Sequence, residues 1–142
     1  MTDNIISVVA AMIRDDAGRM LVVRKRGTQA FMQPGGKRDA GEDDLTALDR
    51  EISEELGCRM VPGSARALGQ FDCPAANEPG WRVQASVYAV NVRGAVVPQA
   101  EIAEALWIDP AEPVSITLAP LTRDHVLPLA AGSRNIEPEF RR

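Results

Sequence analysis

The sequence predicts an α/β fold, with a mixed central sheet wrapped by a few helices. Three observations carry this. Runs rich in Val and Ile at 5–14, 20–26 and 82–92 have strand composition. The run 43–56 instead repeats its large apolar residues at helical spacing. One long helix early and one late, set among such strands, is the order of a layered α/β domain.

Taken in order, Ile5–Arg14 reads as a strand, Asp15-Asp16-Ala17-Gly18 as a turn and Met20–Arg26 as a second strand, together a hairpin. Gly27–Gln33 is a loop. Pro34-Gly35-Gly36 excludes a helix and permits unusual backbone angles. The helix follows over Asp43–Leu56, where Leu45, Leu48, Ile52 and Leu56 recur three, four and four residues apart. Acidic residues crowd its first turn, which the helix dipole favours, and Gly57 stops it. Ser64–Asp72 and Arg82–Val92 are strands around a Pro74–Gly80 loop, and Gly94 marks a turn. A short strand is expected at Ala105–Ile108, and a helix carrying Pro128 at Ala119–Ala131. Ser133–Arg142 is polar and reads as a frayed tail.

A chain of 142 residues and 15.4 kDa is one domain by length, expected over 1–131 with a tail at 132–142. Hydrophobic residues at 45% and charged residues at 25% exclude whole-chain disorder. Lys and Arg total 16 against 20 Asp and Glu, a net charge of -4. That balance disfavours a nucleic-acid polymer as partner, since neutralising a phosphate backbone takes a basic patch. A small phosphorylated ligand bound through a metal is not disfavoured. Cys58 and Cys73 have no metal-ligand spacing, so a reduced, cytoplasmic setting is the default. The apolar run from Ile5 follows Asp3 and Asn4 rather than a basic segment and is too short to span a membrane.

The chemistry concentrates between Gly36 and Cys58. With Glu51 at zero on a helical wheel, Glu55 falls near ~40° and Glu54 near ~300°, stepping about 100° per residue. Leu48, Ile52, Leu45 and Leu56 fall between roughly 60° and 140°, so the acidic side borders the buried side. Like charges three and four apart repel by a few tenths of a kcal/mol. A solvated acidic face is the plain explanation, but it leaves the Gly-Gly loop and Glu42 at fixed spacing unexplained. A divalent cation relieves the repulsion, and hard oxygen ligands suit Mg²⁺ or Mn²⁺ completed by waters and phosphate oxygens.

The segment resembles the Nudix box, G-x5-E-x7-R-E-U-x-E-E-x-G-U with U bulky aliphatic. Gly36, Glu42, Arg50, Glu51, Ile52, Glu54, Glu55 and Gly57 stand in register. Cys58 departs from the last position, where a small hydrophobe still packs. The seven fixed letters match by chance on the order of once in ten million such chains. The resemblance implies the Nudix α/β/α sandwich and hydrolysis of a nucleoside diphosphate linked to another group.

It further implies metal ligands at Glu51, Glu54 and Glu55, joined by the Gly36 carbonyl. Arg50 would orient these glutamates and Glu42 would hold Arg50. The general base is either a box glutamate or one from a later loop, where Glu101 and Glu104 are the candidates. Phe31 and Trp81 are candidates to stack on a base. Arg24, Lys25, Arg26, Lys37 and Arg38 bracket the glycine loop and are candidates for phosphate. His125 reads as structural. Small size favours a MutT-like hydrolase taking a (d)NTP to NMP and pyrophosphate. The alternatives are an ADP-ribose or sugar-nucleotide hydrolase, which Pro74 sixteen residues after Cys58 resembles, and a silent nucleotide sensor. Homodimers are common in the family, and one is possible here.

Overall fold

The structure, a computed structural model, describes residues 4–132. It contains strands β1 (Ile5–Ile13), β2 (Met20–Lys25), β3 (Gly35–Gly36), β4 (Arg59–Met60), β5 (Arg66–Pro74), β6 (Arg82–Val90), β7 (Val92–Arg93) and β8 (Ile102–Ile108). Helix α1 spans Asp44–Leu56, and helix α2 covers 120–132.

The central sheet is mixed and runs β3-β1-β6-β5. β1 pairs parallel to β6, with Val9 opposite Ser86, and antiparallel to β3, with Val9 opposite Gly36. β2 pairs antiparallel with β8, and β4 with β7. The expected β1–β2 hairpin is therefore corrected. One bridge, Arg14 to Met20, joins the two strands before they enter different sheets. The residues that close the gap come from the expected 27–33 loop. Met32 exchanges two backbone hydrogen bonds with Val23, at 2.7 and 2.8 Å, just before Gly35 and Gly36 join β1.

Strand alternation sorts the core into two layers. Val9, Ala11, Ile13, Leu21 and Val23 pack against Leu48, Ile52 and Leu56 of α1. Ala10, Met12, Met20 and Val22 pack on the opposite side against Val126 and Ala130 of α2. β1 and β2 bury both faces, which accounts for their nearly unbroken apolar composition. This is the α/β/α sandwich.

The apolar stripe of α1 sits closer to the acidic side than its leucines indicate. Ala47 and Glu55 lie inside it, while Leu45 is 40% exposed. Asp43 caps the helix by accepting from Thr46 N–H at 2.8 Å, and Gly57 ends it at φ 69°. The carbonyls of Glu55 and Leu56, left open by the helix end, are taken by Gln99 and Val97 N–H at 2.9 Å. β5 reaches through Pro74, and β8 starts three residues before the expected Ala105. α2 continues past Pro128, with a π turn at Thr122–Val126 ahead of it. The expected tail lies, from residue 133 onward, outside the described residues. Among the described residues no helix is long and apolar enough to cross a membrane.

Candidate active site

The glycines come first, because they set how closely loop and helix approach. A Cβ on Gly35, at φ 146°, would lie 2.1 Å from the Val9 carbonyl oxygen. One on Gly36 would lie 2.5 Å from Glu51 Oε2. Only glycine lets β3 press on β1 on one side and on the Glu51 carboxylate on the other.

Glu55 lies beside Glu51. It is 8% exposed and accepts from Gly35 N–H at 3.2 Å. Burial pushes its carboxyl up to about 8; the Glu51 charge adds to this, while the Gly35 N–H and Lys25 oppose it. A carboxyl buried in this way ionises more readily when positive charge is added beside it.

Arg50 organises the outer side. It binds Glu42 through two nitrogens at 2.7 and 2.8 Å, a bidentate pair. It also donates to Glu51 at 3.1 Å, Glu54 at 3.4 Å and the Lys37 carbonyl at 3.0 Å. The Arg50 guanidinium and the Asp39 N–H hold Glu42 down at about 2. One arginine thus joins the loop before the helix to two of its glutamates. Asp39, unmarked in the sequence, stands 3.3 Å from the same guanidinium.

These groups end a cavity of about 430 Å³ lined by Glu51, Glu54, Glu55, Lys25, Lys37 and Glu101 among others. Its remaining wall is largely apolar and includes Ile6, Val8, Val83 and Leu121, with Pro74 and Glu78 from the 74–80 loop. The volume falls within the range of small-molecule sites.

The structure does not gather every candidate here. Glu54 reaches the cavity, but its side chain is 56% exposed and turned to Arg50. Glu104 is not in the cavity wall; it pairs across strands with Arg24 at 3.1 Å. Phe31 is a core residue, 5% exposed, with the Arg24 guanidinium 5.8 Å from its ring centroid, so it is not free to stack on a base. Arg26 lies outside the wall and reaches the Ala100 carbonyl at 3.5 Å. Arg38 is tied to Asp44 at 2.6 Å and to Ser7 at 2.9 Å. Trp81 is 40% exposed, and its backbone closes the 75–81 turn instead of lining the cavity.

Gln33 is a buried polar lining residue that no motif letter marks. Continuing the β1–β3 register places Ala11 opposite Pro34. Ala11 N–H donates to the Pro34 carbonyl at 2.9 Å, but proline has no N–H to return. Gln33 Nε2 supplies the missing donor, 2.9 Å from the Ala11 carbonyl. Its Oε1 is left buried with no partner. An unmet buried acceptor costs about 1–3 kcal/mol. A polar residue directly before Pro-Gly-Gly was the available signal.

A family model of the NUDIX domain matches residues 4–130. The chain belongs to the Nudix family. An 8-oxo-dGTP diphosphatase of Haemophilus influenzae is 37% identical over 78 residues, 52% of this chain and 57% of that protein. An uncharacterized Nudix hydrolase of Streptomyces coelicolor is 36% identical over 100 residues, 66% of this chain and 52% of that one. The matches span little more than half the length of either Nudix relative. Among solved structures, the MutT protein from Methanosarcina mazei has a TM-score of 0.75 at 26% identity, covering 94% of this chain and 98% of that one. The Nudix sandwich implied by the box, and the MutT likeness that small size favours, are thus shown for this chain.

The donor set allows a test of the metal that the Nudix fold implies. Among the described residues no three His, Cys, Asp or Glu groups cluster closely enough to enclose an ion. Two carboxylates, Glu51 and Glu55, meet beside a glycine loop and face a cavity. That matches an open Mg²⁺ or Mn²⁺ site using one or two carboxylates, waters and phosphate oxygens, and does not match a closed cage.

Proposed function

We propose that this chain is a metal-dependent pyrophosphohydrolase acting on a nucleoside diphosphate linked to another group, with a (d)NTP, cleaved to NMP and pyrophosphate, as its substrate. The carrying observation is the Glu51–Glu55 pair held against Gly35 and Gly36 at the end of a cavity that also presents Lys25 and Lys37. The named activity of the Haemophilus relative supports the same substrate class.

Glu51 and Glu55 would hold the cation, with Glu54 at the outer edge. When bound, it supplies positive charge for the phosphate oxygens and lowers the pKa of a water molecule. Arg50, fixed by Glu42, keeps Glu51 in one orientation. Lys25 and Lys37 meet the negative charge of the phosphates from the cavity wall. Of the two later glutamates, Glu101 is the candidate for accepting the water's proton, since it lines the cavity, whereas Glu104 lies in β8 and is held by Arg24. A second reading, ADP-ribose or a sugar nucleotide as substrate, draws on Pro74 standing in the cavity wall.

A hydrolysis panel tests this. Canonical and oxidised dNTPs, NTPs, ADP-ribose and sugar nucleotides are incubated with Mg²⁺ or Mn²⁺, with Glu55→Gln as control. Metal-dependent turnover of (d)NTPs that Glu55→Gln loses is expected. Turnover confined to ADP-ribose selects the second reading. A folded protein that hydrolyses nothing overturns both.

A further inference from the structure

We propose that Gln33 reads the ligand's base, its Oε1 accepting a hydrogen bond from an exocyclic amino group of a nucleobase in the apolar half of the cavity. The inference rests on the nucleotide reading above and deepens it.

The orientation of the amide is determined. The Ala11 carbonyl can only accept, so the group facing it at 2.9 Å is Nε2, and Oε1 is the end that remains. That oxygen has no partner, and Gln33 is only 5% exposed, so bulk water does not satisfy it. Native structures rarely leave such an acceptor open without use.

Its surroundings suit a base. Register places Gln33 opposite Met12, on the sheet face that carries Val8, Ala10 and Val83. Ala119, Pro120 and Leu121 line the same cavity. Apolar walls with a few polar groups, here Gln33 with Asn77 and Glu78 of the 74–80 loop, describe a slot for a flat heterocycle. The carboxylates and lysines take the phosphate end, so the base falls to the apolar end. An exocyclic amine projects beyond the ring and reaches an oxygen in the wall, whereas a ring N–H lies flush with the edge. Oε1 and Nε2 sit on one planar carbon and turn together, so the Nε2 bond to Ala11 fixes where Oε1 stands and the ligand's amine must come to it.

The test uses pairs differing by one amino group: GMP and IMP, AMP and purine riboside monophosphate, CMP and its 4-deamino analogue. Affinities are measured by metal-free titration calorimetry, and kcat/KM on the corresponding triphosphates. The wild type should favour the amino member of at least one pair about tenfold or more. Gln33→Met should lower that member to the level of its partner, leaving the partner within about twofold. Gln33→Glu, which keeps an oxygen acceptor but loses the donor to Ala11, should retain the preference. Thermal unfolding reports whether each variant folds, and Gln33→Glu decides the matter if Gln33→Met does not. Equal affinity within every pair, or equal loss of both members in Gln33→Met, overturns the proposal and leaves Gln33 as a tie between strands. Amino preference in binding without hydrolysis of any triphosphate would instead sink the enzymatic reading and spare this one.

Discussion

At the scale of single residues, Arg50 and Gln33 show what a motif can and cannot convey. Arg50 is a box letter, and its contacts to Glu42, Glu51 and Glu54 give a physical reason for that letter. Replacing its anchor, Glu42→Gln, removes the charge that holds the guanidinium while leaving Glu51 and Glu55 in place. We expect kcat to fall about 10- to 100-fold with little change in melting temperature, the size typical of groups that orient metal ligands. Steady-state kinetics alongside thermal unfolding check this. Gln33 is legible only afterwards, because its role depends on which carbonyl lies opposite Pro34, and register is not written in one strand alone. Phe31 and Trp81 show the same limit. An aromatic in a loop looks alike in sequence whether it faces a ligand, a core or solvent.

At the scale of elements, helix α1 was nearly readable, and its small departures are instructive. Leucine spacing marks Leu45 and Leu48 alike, yet the first is 40% exposed and the second fully buried. The true stripe centres nearer Glu55, a carboxylate that spacing alone assigns to a polar face. Leu48→Ala should cost about 2–5 kcal/mol, and Leu45→Ala within about 0.5 kcal/mol of nothing, in denaturant unfolding. Gly57 ends the helix in the left-handed region at φ 69°. Gly57→Ala should cost about 1–2 kcal/mol and lower the melting temperature by several degrees. The strand-like runs were legible because β1 and β2 are buried on both faces. The hairpin was not, since the turn chemistry at 15–18 is the same whether the strands stay paired or part into two sheets. Two-residue strands such as β3 carry no periodicity at all and exist only through their partners.

At the scale of the whole molecule, a polar network ties α1 to the central sheet. Asp44 accepts from Arg38 and from the Tyr88 hydroxyl, and Arg38 continues to Ser7 and Ser86. Arg38 and Tyr88 hold the Asp44 carboxyl below its ordinary 3.8, so its stabilisation is complete above that pH and fades as pH falls through the lowered value. The bond to Asp44 raises Tyr88 above 10.0, so its share is present below that pH and is lost as pH climbs through the raised value. Unfolding measured against pH should show both flanks flatten in Asp44→Asn. The central claim concerns the other end of the same helix, where Glu51 and Glu55 converge on Gly35 and Gly36. Its most direct test is a Mn²⁺ titration followed by electron paramagnetic resonance, on the wild type, Glu55→Gln and Glu104→Gln. The account predicts at least tenfold weaker Mn²⁺ binding in Glu55→Gln and wild-type binding in Glu104→Gln. Equal Mn²⁺ affinity in all three folded proteins would contradict it.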